Sequence, residues 1–482
     1  VPEGKEKPPS STSLPSWLTQ FRIYTIRDFL SKISNRQYVA LNLLEAPILA
    51  FILSYIIRYI PDPSSDNYIF RLNENIPIFI FMSIIVALFL GLTVSAEEIF
   101  RDRKILKREQ FLNLSKSSYL FSKIVILVLI SAIQSLLFVL IANSILEIRG
   151  MYFEYWFALF VTSIFANILG LNISASFNTA VTIYIIIPLL MIPMMILSGA
   201  MFPFDKLNRS ISSVEKVPLI AEVMPTKWTY EALMVNQFKN NEFEEYFYDL
   251  KKKESQANFK QVYYLPEIKK NLDLLENNLN HSEDNQPTEK LVEAWELLQN
   301  ELGEESERTG IDFRDLDQIS LSAVNPDLIA DIRDFTARLD KHYQHVFSQA
   351  SKKLDNIRSY LTENNPGLYR QKKDNYYNES VADQVKKVFE KNKIIQYKDE
   401  LIQHIDPVYH DPEIEGYFNF RAHFFAPRKH FMNQFFSTYW FNMFVIILMA
   451  VILYIALYYN WLYKILNIPQ KINFKKLKFW NT

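Results

Sequence analysis

Residues 96–124 read AEEIFRDRKILKREQFLNLSKSSYLFSKI, and nine of the thirteen residues from Glu97 to Glu109 are charged. The flanks are the opposite: Ile76–Ala96 and Ser122–Leu146 are apolar runs of about 20 residues or more, the length that spans a hydrocarbon core of ~30 Å. A plain basic loop would not need Glu97, Glu98, Asp102 and Glu109 between its cations. Mixed charge at helical spacing, with Glu97 and Arg101 at i, i+4, predicts instead a helix that meets other protein surface through ion pairs.

Working outward, four more windows have the same apolar character: Leu41–Ile60, Tyr155–Ala175, Thr179–Met201 and, far downstream, Tyr439–Tyr459. The near-neutral mean hydropathy of −0.03 therefore averages two unlike materials. The expected fold class is an all-α membrane protein with six spans and a large helical insertion between spans five and six. Basic residues crowd Arg22–Arg36, Arg101–Lys123 and Lys464–Lys478, which places these segments on the cytoplasmic side. Alternation then puts residues 205–430 outside the cytoplasm, and a bacterial inner membrane is the expected location. A net charge of −1 gives no reason to expect nucleic acid, and the absence of cysteine excludes disulfides and thiolate chemistry.

The expected domains follow. Residues 1–16 contain KPPSSTSLPS (Lys7–Ser16), a Pro/Ser linker leading from an upstream domain, and no signal-peptide pattern precedes it. Residues 17–37 suit an amphipathic interfacial helix, 38–204 hold spans one to five with a connecting helix over 97–113, and 431–482 hold span six and a basic tail. Pro188, Pro193, Gly199 and Pro203 interrupt the fifth span and permit a broken or re-entrant end.

In the insertion, Leu328, Ile332, Phe335, Leu339, Tyr343, Val346, Ala350, Leu354, Ile357 and Leu361 step by three and four. Asn325-Pro326 reads as cap and first turn and Asn364-Asn365-Pro366-Gly367 as the stop, so one helix of on the order of 55 Å is expected. Leu291, Trp295, Leu298 and Leu302 predict a second helical seam, and Val381, Val385, Val388, Ile395 and Ile402 a third. The expectation is an all-helical bundle projecting from the membrane.

No G-x-x-x-x-G-K-[ST] phosphate loop exists among the nine glycines, so no catalytic site is expected in this chain. No metal site is expected either: His342 and His345 share a helical face near Asp340 without a third ligand, and His404, Asp406, His410 and Asp411 match no zinc spacing. Glu45, a carboxylate inside the first span, reads either as an anchor reaching the interface or as a functional group. Asn167, Asn172, Asn178 and Thr179 read as hydrogen-bonding links between helices.

These residues resemble the membrane domains of ABCG-type (White-type) ABC exporters. Asp102-Arg103, a four-residue gap and Arg108-Glu109 look like that family's connecting-helix pattern, Tyr119 and Lys123 follow where a Tyr and a Lys commonly do, and Trp228-Thr229-Tyr230-Glu231-Ala232-Leu233 is similar to the segment after its re-entrant loop. Asp102 stands where Glu is usual, and Gln110 replaces a common basic residue. The resemblance covers residues 15–240 and 430–465. It implies a homodimer in membrane lipid, a nucleotide-binding domain on the same parent chain or a separate subunit supplying ATP and Mg²⁺, and export of an amphipathic or lipid-like substrate. Asp102, Arg103, Arg108 and Glu109 would couple to that domain. Tyr184, Met191, Met194 and Met195 would line the substrate cleft, with lipid-facing packing as the other reading. Two further readings stay open: a motor that levers an extracytoplasmic protein partner without moving cargo, and a membrane-anchored binding scaffold.

Overall fold

The computed structural model describes residues 15–109, 115–212, 216–281, 289–314, 316, 319–414 and 416–467. The expected linker before residue 15, the end of the connecting helix beyond Glu109 and the basic tail beyond residue 467 lie outside the described residues.

The chain opens with α1 (Trp17–Ser34), capped by the Ser16 hydroxyl, and α2 (Arg36–Ile57), capped by Asn35. On α1 Gln20 and Tyr24 are buried while Leu18, Phe29, Leu30 and Ile33 stay exposed, an apolar face that the described residues leave uncovered. Next come α3 (Ile76–Ser95), α4 (Glu98–Glu109), α5 (Lys116–Leu146), α6 (Tyr152–Ser176) and α7 (Ala180–Ile196). Beyond them lie a short α8 (Leu219–Glu222) and α9 (Pro225–Lys239), buried along nearly its whole length.

Among the described residues five helices are long and apolar enough to cross a membrane: α2, α3 running on through α4, α5, α6 and, at the far end of the chain, Thr438–Tyr458. The expected fifth span is present as a shorter apolar helix, α7, of 17 residues or about 25 Å, at the lower end of the length that crosses a hydrocarbon core. Pro188 and Pro193 remove two backbone donors inside it, and Gly199 with φ +78° turns the chain away just after its end.

The close approach of α3 and α6 is written in small residues. A Cβ on Gly91 would lie 2.7 Å from the Ala166 Cβ and 2.8 Å from the Ser163 carbonyl oxygen, and one on Gly170 would collide with the Ser95 hydroxyl. Without a strong hydrophobic drive between helices in lipid, such close backbone contact and interhelical hydrogen bonds hold spans together. Asn167 Nδ2 donates to Ser131 Oγ at 2.8 Å, and Asn172 Nδ2 to the Leu453 carbonyl at 3.0 Å.

The insertion is a second packed unit. Helix α10 (Tyr248–Phe259) passes through a π turn at Lys260–Tyr264 into α11 (Leu265–His281), and α12 (Glu289–Thr309) and the 39-residue α13 (Pro326–Asn364) complete the bundle. Asn325 Oδ1 accepts from the Leu328 amide at 2.8 Å, so the predicted cap starts the long helix where expected. Along it Leu328, Ile332, Phe335, Leu339, Tyr343, Ala350 and Leu354 are buried; Trp295, Leu298 and Leu302 of α12 share one core with the stretch from Leu328 to Tyr343, and Leu354, Ile357 and Leu361 pack near Phe243 and Phe247. Helices α14 (Pro366–Tyr376) and α15 (Glu379–Lys386) bring the chain back onto the apolar bundle.

The third predicted helical seam is corrected. Helix α15 ends where Lys387 takes φ +52°, and Val388 is exposed. Ile395 and Ile402 instead face each other across the antiparallel hairpin β1 (Ile394–Tyr397) and β2 (Glu400–Gln403). A second hairpin, β3 (Arg428–Phe431) and β4 (Gln434–Ser437), turns through Met432 and Asn433, both with positive φ. The insertion is therefore helical with two small hairpins. The last span, α16 (Thr438–Tyr458), and α17 (Trp461–Leu466) follow.

Candidate functional site: the buried charge junction of the connecting helix

Helix α4 is fixed on its inner side by a closed ion network drawn from three helices. Lys123 of α5 places Nζ 2.6 Å from Asp28, 2.9 Å from Asp102 and 3.2 Å from Glu98. Lys32 of α1 sits 2.6 Å from Glu98 and 3.1 Å from Asp28, and the Tyr119 hydroxyl donates to Asp102 at 3.0 Å. The Lys123 side chain is 5% exposed and that of Glu98 9%, so the group is sequestered; surface ion pairs are worth little, whereas losing one member of a buried set strands a charge. Burial alone would raise the Asp28 carboxyl, but Lys32 and Lys123 hold it below the usual range.

The other side of the rod meets the α6–α7 turn. Ser174 Oγ accepts from the Ile99 and Phe100 amides at 3.1 and 3.0 Å, serving as a cap supplied by another helix. Arg103 donates to the Ala175 carbonyl at 2.9 Å, to the Ser174 carbonyl at 3.3 Å and to Asn178 Oδ1, which places a cation at the C-terminal carbonyls of α6. Tyr184 of α7 donates to Glu97 at 2.7 Å. Four helices thus converge on α4, while Arg101, Lys104, Ile105, Lys107 and Arg108 remain on its open face.

The predicted site residues fall in different places. Asp102 and Arg103 are anchored to the chain's own spans, Arg108 is exposed, and the side chain of Glu109 lies outside the described residues. Tyr184 is at the charged junction; Met191 and Met194 are buried in the apolar core and Met195 is half-buried, so the structure does not gather the four on one open face. Glu45 is half-buried on α2 and makes no hydrogen bond or ion pair among the described residues. His342 stacks edge-on against Tyr343 and His345 meets Gln349 at 2.7 Å. His404 gathers with Asp205 and Glu390, close enough together to hold a metal ion, though Lys387 already stands 3.4 Å from His404 and Lys206 3.2 Å from Glu390. His404 and its Asp205 neighbour are about 200 residues apart in sequence, and only folding reveals the group.

A further buried charge set centres on Glu231, in the segment singled out by sequence. Its carboxylate meets Lys429 at 2.7 Å and Lys227 at 3.2 Å and accepts from Asn442 at 3.0 Å. It pins α9 to the second hairpin and to α16.

An apolar helical bundle that grips a charged rod by buried ion pairs is the architecture of an integral membrane domain. Residues 19–238 match the family described as ABC-2 type transporter. Over 230 residues the chain is 24% identical to the ABC transporter G family member STR of Medicago truncatula, a match covering 47% of this chain and 26% of that protein. The chain thus spans about a quarter of the length of that curated relative. Residues 19–238 thus resemble an ABC-2 type transporter membrane domain, and the likeness to the plant protein supports the ABCG type among them.

Proposed function

We propose that the chain is the permease part of a homodimeric, ATP-driven exporter of an amphipathic or lipid-like substrate. Residues 17–37 and the rod lie at the cytoplasmic face of a bacterial inner membrane, and residues 205–430 lie outside. The observation that carries this reading is the two-faced α4: its inner face is locked to α1, α5, α6 and α7, while its open face presents Lys104, Lys107 and Arg108. A helix fixed on one side and basic on the other suits docking of a nucleotide-binding domain that binds ATP and Mg²⁺ and moves the rod as it opens and closes.

The test separates the faces in the chain reconstituted with its ATPase partner. Charge reversal at Lys104→Glu with Arg108→Glu is expected to leave assembly of the membrane domain intact and to abolish ATPase docking. Arg103→Ala is expected to preserve docking but to lower cargo-stimulated ATP turnover about tenfold or more, since it frees the rod from the α6 carbonyls. Wild-type turnover in all variants would make the rod an ordinary loop. A mechanical output, without cargo, is favoured by the 39-residue α13, a rigid arm on the order of 60 Å long; it predicts ATP turnover that ignores any transported substrate.

A further inference from the structure

Beyond the end of α7 a cavity of about 660 Å³ opens, within the size range of small-molecule sites. Gly199, Pro203 and Phe204, the turn that leaves α7, line it from one side. Glu301 and Arg308 of α12 and the whole of β2 line it from another, so two separately packed units share its walls.

Lys387 meets the His404 ring at 3.4 Å, and other cations on those walls are paired. Lys260 pairs with Glu305, Arg308 with Glu305 at 3.0 Å, Lys206 with Glu390 at 3.2 Å, and Arg421 donates to the Val217 carbonyl at 2.8 Å. Glu301 differs. The residue is 7% exposed, its carboxylate accepts from the Leu401 amide, and no ammonium or guanidinium of a described residue stands within ion-pair distance of it. A buried carboxylate without a cation is costly. The same cavity is faced by phenylalanine rings: Phe424 lies edge-on to Phe204 at 4.9 Å and beside Phe425 at 4.1 Å. Aromatic faces attract an organic cation and bury its apolar part.

We propose that this cavity binds an amphipathic organic cation, with its positive charge at Glu301 and its apolar part against Phe204, Phe424 and Phe425. Delivery of that cation from the membrane rests on the exporter reading; binding itself does not.

The experiment uses the full chain in nanodiscs of zwitterionic lipid, without ATPase or ATP, so a failed exporter reading leaves the result interpretable. Equilibrium dialysis compares tetraphenylphosphonium with tetraphenylborate, which share shape and differ in sign of charge. Saturable binding of the cation at one site per chain is expected, with no saturable binding of the anion. Glu301→Gln is expected to weaken it about tenfold or more, and Glu296→Gln, on the exposed side of the same helix, to leave it unchanged. Phe389, 84% exposed where it lines the cavity, offers a variant that leaves the core alone; Phe389→Ser should weaken binding several-fold. Non-saturable cation uptake, equal binding of the borate, or wild-type affinity in both Glu301→Gln and Phe389→Ser overturns the proposal.

Discussion

Glu301 keeps its carboxyl where few carboxyls remain charged. Burial, outweighing attraction from Lys260 and the hydrogen bond from the Leu401 amide, pushes it up to about 7, and Glu304 adds repulsion. The ordinary value is 4.5, so between about pH 4.5 and 7 the folded chain holds a proton that the unfolded chain has lost, and stability falls as pH rises through that window. Glu301→Gln removes this penalty. Its melting temperature should match wild type near pH 4.5 and exceed it at pH 8, read by thermal unfolding at the two pH values; an equal difference at both would show that the carboxyl does not titrate there. Sequence reading missed Glu301 because the amide it accepts from, Leu401, is 100 residues away. It also picked Asp102 and Arg103 from a local charge pattern while missing Asp28, Lys32 and Ser174, whose roles arise only when α1 and the end of α6 reach the rod.

At the scale of elements, periodicity was a good guide wherever one face had to be buried. The seam of α13 and its Asn325 cap were legible because a long amphipathic helix carries many independent signals of one period. The hairpins were not: each strand is only four residues long, and their turns use Lys398, Met432 and Asn433 at positive φ instead of glycine. The apolar window over Thr179–Met201 runs five residues past the end of α7, because composition continues through the turn at Gly199 where the helical ladder has already stopped. The α3–α6 contact decides where the rod begins, since Ser95 and Ser174 lie at the same end of the pair. Gly170→Leu should therefore separate these helices. A destabilisation of about 1–3 kcal/mol is expected from overpacking, seen as a lower melting temperature of the purified chain, together with weakened coupling of the rod. The informative control is Leu140→Ala, an exposed site on α5, which should leave melting unchanged.

For the whole molecule, the two hydrophobic cores mark where the insertion can be cut. Apart from Ile394, Leu401 and Ile405, the outer core lies between Ala257 and Phe347. A cut that removes nearly the whole insertion, 242–412, reaches into the membrane domain's own core. Val381, Ala382, Val385, Val408 and Tyr409 belong to the core of the apolar bundle, and Asn378 donates to the Phe70 and Asn73 carbonyls at 2.8 and 2.9 Å. Arg71 is likewise held by Asp374 at 2.7 Å and Glu379 at 2.6 Å. Helices α10 and α13 run side by side, with Gln261 meeting Asp340 and with Phe243, Phe247 and Leu354 in one cluster, so residues 257 and 344 are close enough to join by a short turn. Replacing 258–343 by such a turn should give a chain that is monodisperse in nanodiscs and still docks its ATPase. Removing 242–412 should give aggregation, because it strips side chains from the bundle's own core and leaves buried carbonyls unpaired. Size-exclusion profiles of the two deletions decide the matter: equal behaviour would mean that the insertion and the bundle do not divide at this seam. The shorter deletion also removes Glu301, so it should lose cation binding while keeping docking, which separates what the outer unit does from what holds the membrane domain together.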